Sequence, residues 1–88
     1  MHKLHKIIKQ IHKELEAAED YIHCASVSEE EVKDVYKSLS RDELSHAEKL
    51  MIMCDRHIDE DKKILWEFEK EMMKDRHLNL KSKLSHID

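Results

Sequence analysis

The chain has 88 residues, none of them glycine or proline, and 41% of them are charged. Because tight β-turns need residues that tolerate positive φ, this composition disfavours a β-rich fold and favours long, solvated helices. The net charge of −4, without a basic stripe, argues against a nucleic-acid partner. No apolar stretch is long enough to predict a membrane span or a membrane partner.

The first predicted helix covers about residues 4–25. Its apolar residues recur in alternating steps of four and three, which is the heptad pattern of helices that pack against one another. They are Leu4, Ile8, Ile11, Leu15, Ala18, Ile22 and Ala25. Ile7 and Tyr21 lie one position beside this stripe and widen it, as in a helix inside a bundle.

A short turn at residues 26–28 separates the first helix from the second. Ser28 followed by Glu31 predicts a capping box, and Val27 with Val32 predicts a hydrophobic staple across the same helix start. The second helix is expected over about residues 29–57. Because the turn is short, the two helices should be antiparallel neighbours.

A heptad stripe also runs along the predicted second helix. Its members are Val32, Tyr36, Leu39, Glu43, His46, Leu50, Met53 and His57. A third helix is expected over about residues 60–84, with Leu65, Phe68 and Met72 as its clearest apolar stripe. The prediction is therefore one all-α domain over residues 1–88, an antiparallel hairpin plus a C-terminal helix. The pattern leaves open whether the second and third helices are continuous.

Two polar residues occupy stripe positions that normally carry leucine or isoleucine. Glu43 and His46 have the spacing Glu-x-x-His, which projects both side chains from one helix face. A buried carboxylate costs several kcal/mol unless it is paired or binds a metal. Glu14 lies about three helical turns before the turn and Glu43 about four turns after it, so antiparallel packing should place them at similar height.

Two carboxylates and an imidazole form a suitable ligand set for iron or manganese. A di-iron site in a four-helix bundle uses one Glu from each of two helices and a Glu-x-x-His motif from each of the other two. Glu14, Glu43 and His46 supply half of that set. The sequence therefore predicts that a homodimer completes the four-helix bundle and the site.

The segment ELEAAEDY at residues 14–21 resembles the first metal-binding helix of rubrerythrins and encapsulated ferritins, where an Ala and a Tyr follow the ligand Glu at three and seven residues. The segment RDELSHA at residues 41–47 resembles their second metal-binding helix. The resemblance covers roughly residues 10–58 and is to the ferritin-like di-iron carboxylate superfamily.

The resemblance implies that Glu14 and His46 are terminal ligands, that Glu43 bridges two ions and that Tyr21 lies beside the ligands. It implies two iron ions per dimer site, with manganese or zinc as substitutes. The implied activity is a ferroxidase reaction, in which oxygen or peroxide oxidises Fe(II) to Fe(III) for iron storage or detoxification. Glu16 and Asp20 are then either a solvated face or an entry path that attracts Fe²⁺.

The location and further partners are also expectations from sequence. Cys24 and Cys54 form no CxxC motif and are interpreted as reduced residues of a cytoplasmic protein. Encapsulated ferritins are carried inside an encapsulin shell, so a protein nanocompartment is the alternative location. The tail over residues 80–88 lacks their apolar targeting peptide. A larger ring of dimers also remains open.

A second reading makes the chain a non-enzymatic helical oligomerisation or interaction module, with metal absent or only structural. Under this reading Glu43 and His46 are an exposed polar pair. The remaining histidines, including His77, are interpreted as surface residues under both readings. The amount of metal bound per chain distinguishes the two.

Overall fold

The computed structural model describes residues 3–87, and Met1, His2 and Asp88 lie outside the described range. Helix α1 covers Leu4–Ser26, α2 covers Glu30–His57 and α3 covers Lys63–Ser85, with a 3₁₀ turn at Glu60–Lys62 before α3. The prediction of an all-α fold with three helices is confirmed. The described range contains no strand.

Helices α1 and α2 form an antiparallel pair. Glu14 of α1 contacts Glu43 of α2, and Tyr21, further along α1, stacks on Tyr36, earlier in α2. The predicted stripe of α1 is confirmed, because all of its members are buried except the half-buried Ile8. These side chains form the core between the two helices.

The predicted stripe of α2 is wrong by one residue. The buried residues are Ser40, Leu44, Ala47, Met51 and Cys54, each one position after a member of the predicted stripe. Three of them are small, which lets α1 approach closely. The Ser40 hydroxyl donates to the Tyr36 carbonyl at 2.8 Å and is therefore satisfied inside the core. The large apolar residues of the predicted stripe lie on one flank of this core.

The predicted capping box and hydrophobic staple are also wrong. Glu29 occupies the N-cap position of α2 and makes no side-chain capping hydrogen bond. The Ser28 hydroxyl instead donates to the Cys24 carbonyl at 2.6 Å, so it satisfies the end of α1 rather than the start of α2. Val27 is 73% exposed, so it cannot pack against Val32 as a staple.

The chain turns between α2 and α3 at Ile58 and Asp59, both of which have extended backbone. Trp66 fixes α3 after this turn, because its buried indole donates to Asp55 at 2.8 Å. Lys70 donates to the same carboxylate at 3.0 Å. Burial raises the pKa of Asp55, but these two hydrogen bonds together with the positive charges of Lys70 and Lys74 lower it below its ordinary value.

The buried face of α3 is not the predicted one. Its members are Trp66, Met73, His77, Leu80 and Leu84. Leu65, Phe68 and Met72 form an exposed stripe on another side of the helix. His77 is buried, contrary to expectation, and its Nε2 lies 2.9 Å from the Leu44 carbonyl. Because a carbonyl only accepts hydrogen bonds, the ring proton sits on Nε2.

Helix α3 covers one side of the α1–α2 hairpin, which we call the back face. Arg76 pairs with Glu19 of α1 at 3.3 Å, and Lys37 of α2 donates to the Ile87 carbonyl at 3.1 Å. Glu19 is about 140° around α1 from Glu14, and Lys37 about 120° around α2 from Glu43. The two glutamates therefore lie on the opposite side, the front face.

The front face carries half-buried residues of α1 and α2. They are Ile7, Glu14, Ala17, Tyr21, Tyr36, Leu39, Glu43 and Leu50. The contacts of Arg76 with Glu19 and of Lys37 with Ile87 place the C-terminal half of α3 on the opposite, back face. No helix in the same range is both long and apolar enough to cross a membrane.

The identical substitution at two positions of α3 tests which face is buried. Leu80 is 1% exposed and Leu65 is 55% exposed. Leu80→Ala should lower the free energy of unfolding by about 2–5 kcal/mol, because it leaves a cavity against α1 and α2. Leu65→Ala should change it by only about 0.5 kcal/mol. Urea unfolding of dilute protein measures both, and equal losses would contradict the described packing.

Candidate metal centre

Glu14, Glu43 and His46 converge on the front face. His46 Nδ1 lies 3.7 Å from a carboxylate oxygen of Glu14 and 3.9 Å from one of Glu43. One ligand atom from each of the three side chains lies within 4.8 Å of the other two. Among the described residues this is the one group of three or more His, Cys, Asp or Glu side chains close enough to share an ion.

The heptad spacing of the hairpin explains why these side chains meet. Tyr21 follows Glu14 by seven residues, and Tyr36 precedes Glu43 by seven, so the tyrosines meet one heptad closer to the turn. Their ring centroids are 6.1 Å apart with an interplanar angle of 30°. His46 then adds its imidazole one helical turn beyond Glu43. The structure thus places Tyr21 in a ring contact on the ligands' side of α1.

The two carboxyl groups share a hydrogen bond. Accepting this bond is the main reason that the pKa of Glu14 is lowered, while Gln10 and His46 act in the same direction against the effect of burial. Donating the bond is the main reason that the pKa of Glu43 is raised, and burial and the negative charge of Glu14 add to it. The hydrogen bond between the two carboxyl groups thus shifts their pKa values in opposite directions, raising that of Glu43 and lowering that of Glu14.

Gln10 is a site residue that sequence reasoning missed. Its Nε2 donates to Glu14 Oε1 at 2.8 Å, which fixes the orientation of the carboxylate. The signal for it was present, because residues four apart on a helix lie on the same face. Hydrogen-bonded carboxylates are the usual arrangement around protein metal sites, where the outer partner orients the ligand.

The site is open to the front. The side chains of Glu14 and Glu43 are 18% and 22% exposed, and that of His46 is 53% exposed. The predicted stripe that contains Glu43 and His46 is therefore not the buried one. Both residues lie on the flank of the α1–α2 core, where partial hydration reduces the free-energy cost of a carboxylate.

The donor set fits a divalent transition metal. Two carboxylates and a neutral imidazole are ligands that iron, manganese and zinc accept. The three side chains are already close together, so an ion could bind between them once both carboxyl groups are ionised. Three protein ligands would leave positions for further ligands on the open side.

Glu16 and Asp20 are not part of this cluster. Glu16 is exposed, and its position two residues after Glu14 places it about 200° around the helix. Asp20 lines a cavity of about 890 Å³ between α1 and the end of α3, together with His23 and His86. The described structure brings neither side chain to the front face.

Both cysteines are free thiols. Cys54 is buried, and its pKa is raised by burial and by the neighbouring Asp55 carboxylate. A raised pKa keeps the sulfur protonated, which makes it a poor metal ligand and nucleophile. Cys54 is therefore a core side chain.

Comparisons with known proteins identify no relative. No protein-family model matches the chain, and no curated protein or solved structure matches it. The candidate centre is accordingly argued from its own geometry.

The raised pKa of Glu43 predicts how stability depends on pH in the metal-free protein. A raised pKa in the folded state stabilises the fold below the ordinary glutamate value of 4.5, and this contribution is lost as the pH rises through the folded pKa. Glu43→Gln keeps a donor towards Glu14 and does not ionise. It should therefore raise the free energy of unfolding relative to the parent at pH 7 but not at pH 4.

Urea unfolding at the two pH values measures this difference. Glu71→Gln is the matched control, because Glu71 is exposed on α3 and outside the cluster. Its effect should be the same at both pH values. A Glu43→Gln effect independent of pH would mean that the two carboxyl groups do not share a proton.

Proposed function

We propose that two copies of the chain pair through their front faces, hold two iron ions between them and oxidise Fe(II) to Fe(III) with oxygen or peroxide, in iron storage or detoxification. The observation that carries the proposal is the convergence of Glu14, Glu43 and His46 on the face of the hairpin opposite to α3. Manganese and zinc are possible substitutes for iron.

The number of ligands supports a two-fold partner. One chain brings two carboxylates and one imidazole together. A pair of ions in a four-helix bundle uses four carboxylates and two imidazoles. A two-fold axis through the front face supplies the missing half from identical residues. In this dimer Glu14, Glu43 and His46 of both chains would hold the ions, with the roles that the resemblance implies for them.

The apolar residues around the cluster support the same pairing. Ile7, Ala17, Leu39 and Leu50 are half-buried in the single chain. A second copy would remove the rest of their surface from water and gain hydrophobic free energy. The same contact would dehydrate the ligands, and α3 would remain on the outside of the four-helix bundle.

Each residue has a specific role in this proposal. The carboxylates of Glu14 and Glu43 attract and hold the cation, and both must be ionised to do so. Gln10 keeps Glu14 in its binding orientation through its hydrogen bond. His46 offers an imidazole nitrogen from the open side. The bound iron supplies the redox chemistry, and the oxidant accepts the electrons.

One observation favours the second function, a helical interaction module. Ile64 is 89% exposed, and with Leu65, Phe68 and Met72 it forms an apolar stripe on the outer side of α3. Such a stripe suits contact with another protein surface. It is compatible with the first proposal, in which it would join dimers into a larger ring or contact a shell.

Manganese should drive dimerisation, because it is bound by the same ligands but is not readily oxidised in air. Sedimentation should show a shift towards the dimer when Mn²⁺ is added, with about one ion per chain. Glu14→Gln should abolish the shift, whereas Glu16→Gln, a matched change on the other side of α1, should not. A monomer that binds manganese would contradict the shared site.

Glu43→Leu separates the two proposed functions. If Glu43 bridges the ions, the variant should lose bound metal and oxygen-dependent Fe(II) oxidation. The free energy of unfolding without metal should be unchanged or raised by about 1 kcal/mol, since a partly buried carboxylate is replaced by an apolar side chain.

Elemental analysis, the rate of Fe(III) formation and urea unfolding measure these effects. Glu16→Leu on α1 is the control and should retain both metal and oxidation. Full metal content in Glu43→Leu would rule out the metal centre and leave the interaction module.

A further inference from the structure

A second charged cluster lies on the back face, in the groove between α2 and α3. The groove holds a cavity of about 420 Å³, which is within the range of small-molecule sites. Lys37, Arg41 and Lys81 line it, and Glu48 is the one carboxylate among its lining residues. The cavity is therefore positively charged in a chain whose net charge is −4.

Among the described residues, no ion pair joins Lys37, Arg41 or Lys81 to a carboxylate, and Lys37 donates to the Ile87 carbonyl. Three cations and one carboxylate around one cavity produce a local positive potential that attracts anions.

The cavity also has apolar lining residues, Leu44, Leu84 and Ile87, and Ser45 adds a hydroxyl group. The Leu44 carbonyl is hydrogen-bonded to His77, another lining residue, so the ring of His77 is held in place. A matching ligand therefore has an anionic group for the cations and an apolar body for the apolar side chains.

The donors favour phosphate over carboxylate. A guanidinium fork binds two oxygens of an oxyanion, and ammonium and hydroxyl groups can reach its remaining oxygens. We propose that this cavity binds a phosphorylated small molecule with an apolar portion. Arg41 precedes Glu43 by two residues and lies about 160° around α2 from it, so the two sites are on opposite faces of the hairpin.

Titration of the full chain with phenyl phosphate, followed by backbone amide NMR, tests the proposal. The amides of Ser45 and Ser85 should shift in a saturable manner, whereas those of Glu14 and Tyr21 on the front face should not. Benzoate and inorganic phosphate should each bind about tenfold more weakly, because each lacks one of the two matching features. Benzyl alcohol, which has no charge, should produce no saturable shift.

Variants separate this site from general attraction between charges. Arg41→Gln and Lys81→Gln should each weaken phenyl phosphate binding about tenfold, through loss of one charge-assisted contact. Lys49 is exposed on α2, like Arg41, but does not line the cavity, so Lys49→Gln should leave phenyl phosphate binding unchanged. Arg41 and Lys81 lie on different helices, so the test does not depend on a single substitution. A variant that fails to fold would be recognised from its amide spectrum.

Three results would overturn the proposal. They are no saturable shift, equal binding of benzyl alcohol, and equal weakening by Lys49→Gln and Arg41→Gln. Glu43→Leu keeps this inference distinct from the metal centre, because it should leave phenyl phosphate binding unchanged. Loss of binding in that variant would mean that the two sites are one system and would also overturn the inference.

Discussion

The close approach of α1 to α2 is the constraint on which the other features depend. It is possible because the residues that face each other across the core include Ala18, Ser40 and Ala47, all completely buried. Small side chains let two helix backbones approach, and Ser40 avoids the cost of a buried hydroxyl through its bond to the preceding turn. The same packing brings the flanking Glu14 and Glu43 into contact, and the hydrogen bond between their carboxyl groups raises the pKa of Glu43 and lowers that of Glu14.

Helix α3 covers only the back face of the α1–α2 hairpin. It is held there through Trp66 and His77, which are both buried and both hydrogen-bonded to α2. The side chains of the front face are partly buried and partly exposed to solvent. Such an environment shifts pKa values and still leaves ionisable side chains accessible to a ligand. The two sides thus differ in charge, with the Glu14–Glu43 carboxyl pair in front and a groove lined by three cations and one carboxylate behind.

The sequence predicts α1 well because that helix has one dominant apolar stripe. It misplaces the stripe of α2 by one residue because α2 has two adjacent stripes. The buried stripe contains small residues such as Ser40, and the larger apolar residues belong to the neighbouring stripe. Hydrophobic periodicity alone does not show which of the two stripes is buried within one chain. The sequence still predicts the cluster of Glu14, Glu43 and His46. That prediction rests on the distance of each residue from the connecting turn along two antiparallel helices, and a shift of the buried stripe by one residue does not change this distance. His77 is missed because its burial depends on tertiary packing of α3.

Trp66 gives the molecule an optical property that follows from its position. It is the single tryptophan of the chain, its indole is fully buried, and its N–H is bonded to Asp55. Asp55 lies twelve residues beyond Glu43, which is about 18 Å along α2. Intrinsic tryptophan emission therefore monitors whether α3 is docked. Tyr21 and Tyr36 lie near the turn between α1 and α2, at the opposite end of the hairpin. Tyrosine absorbance and tryptophan emission therefore report on different parts of the fold.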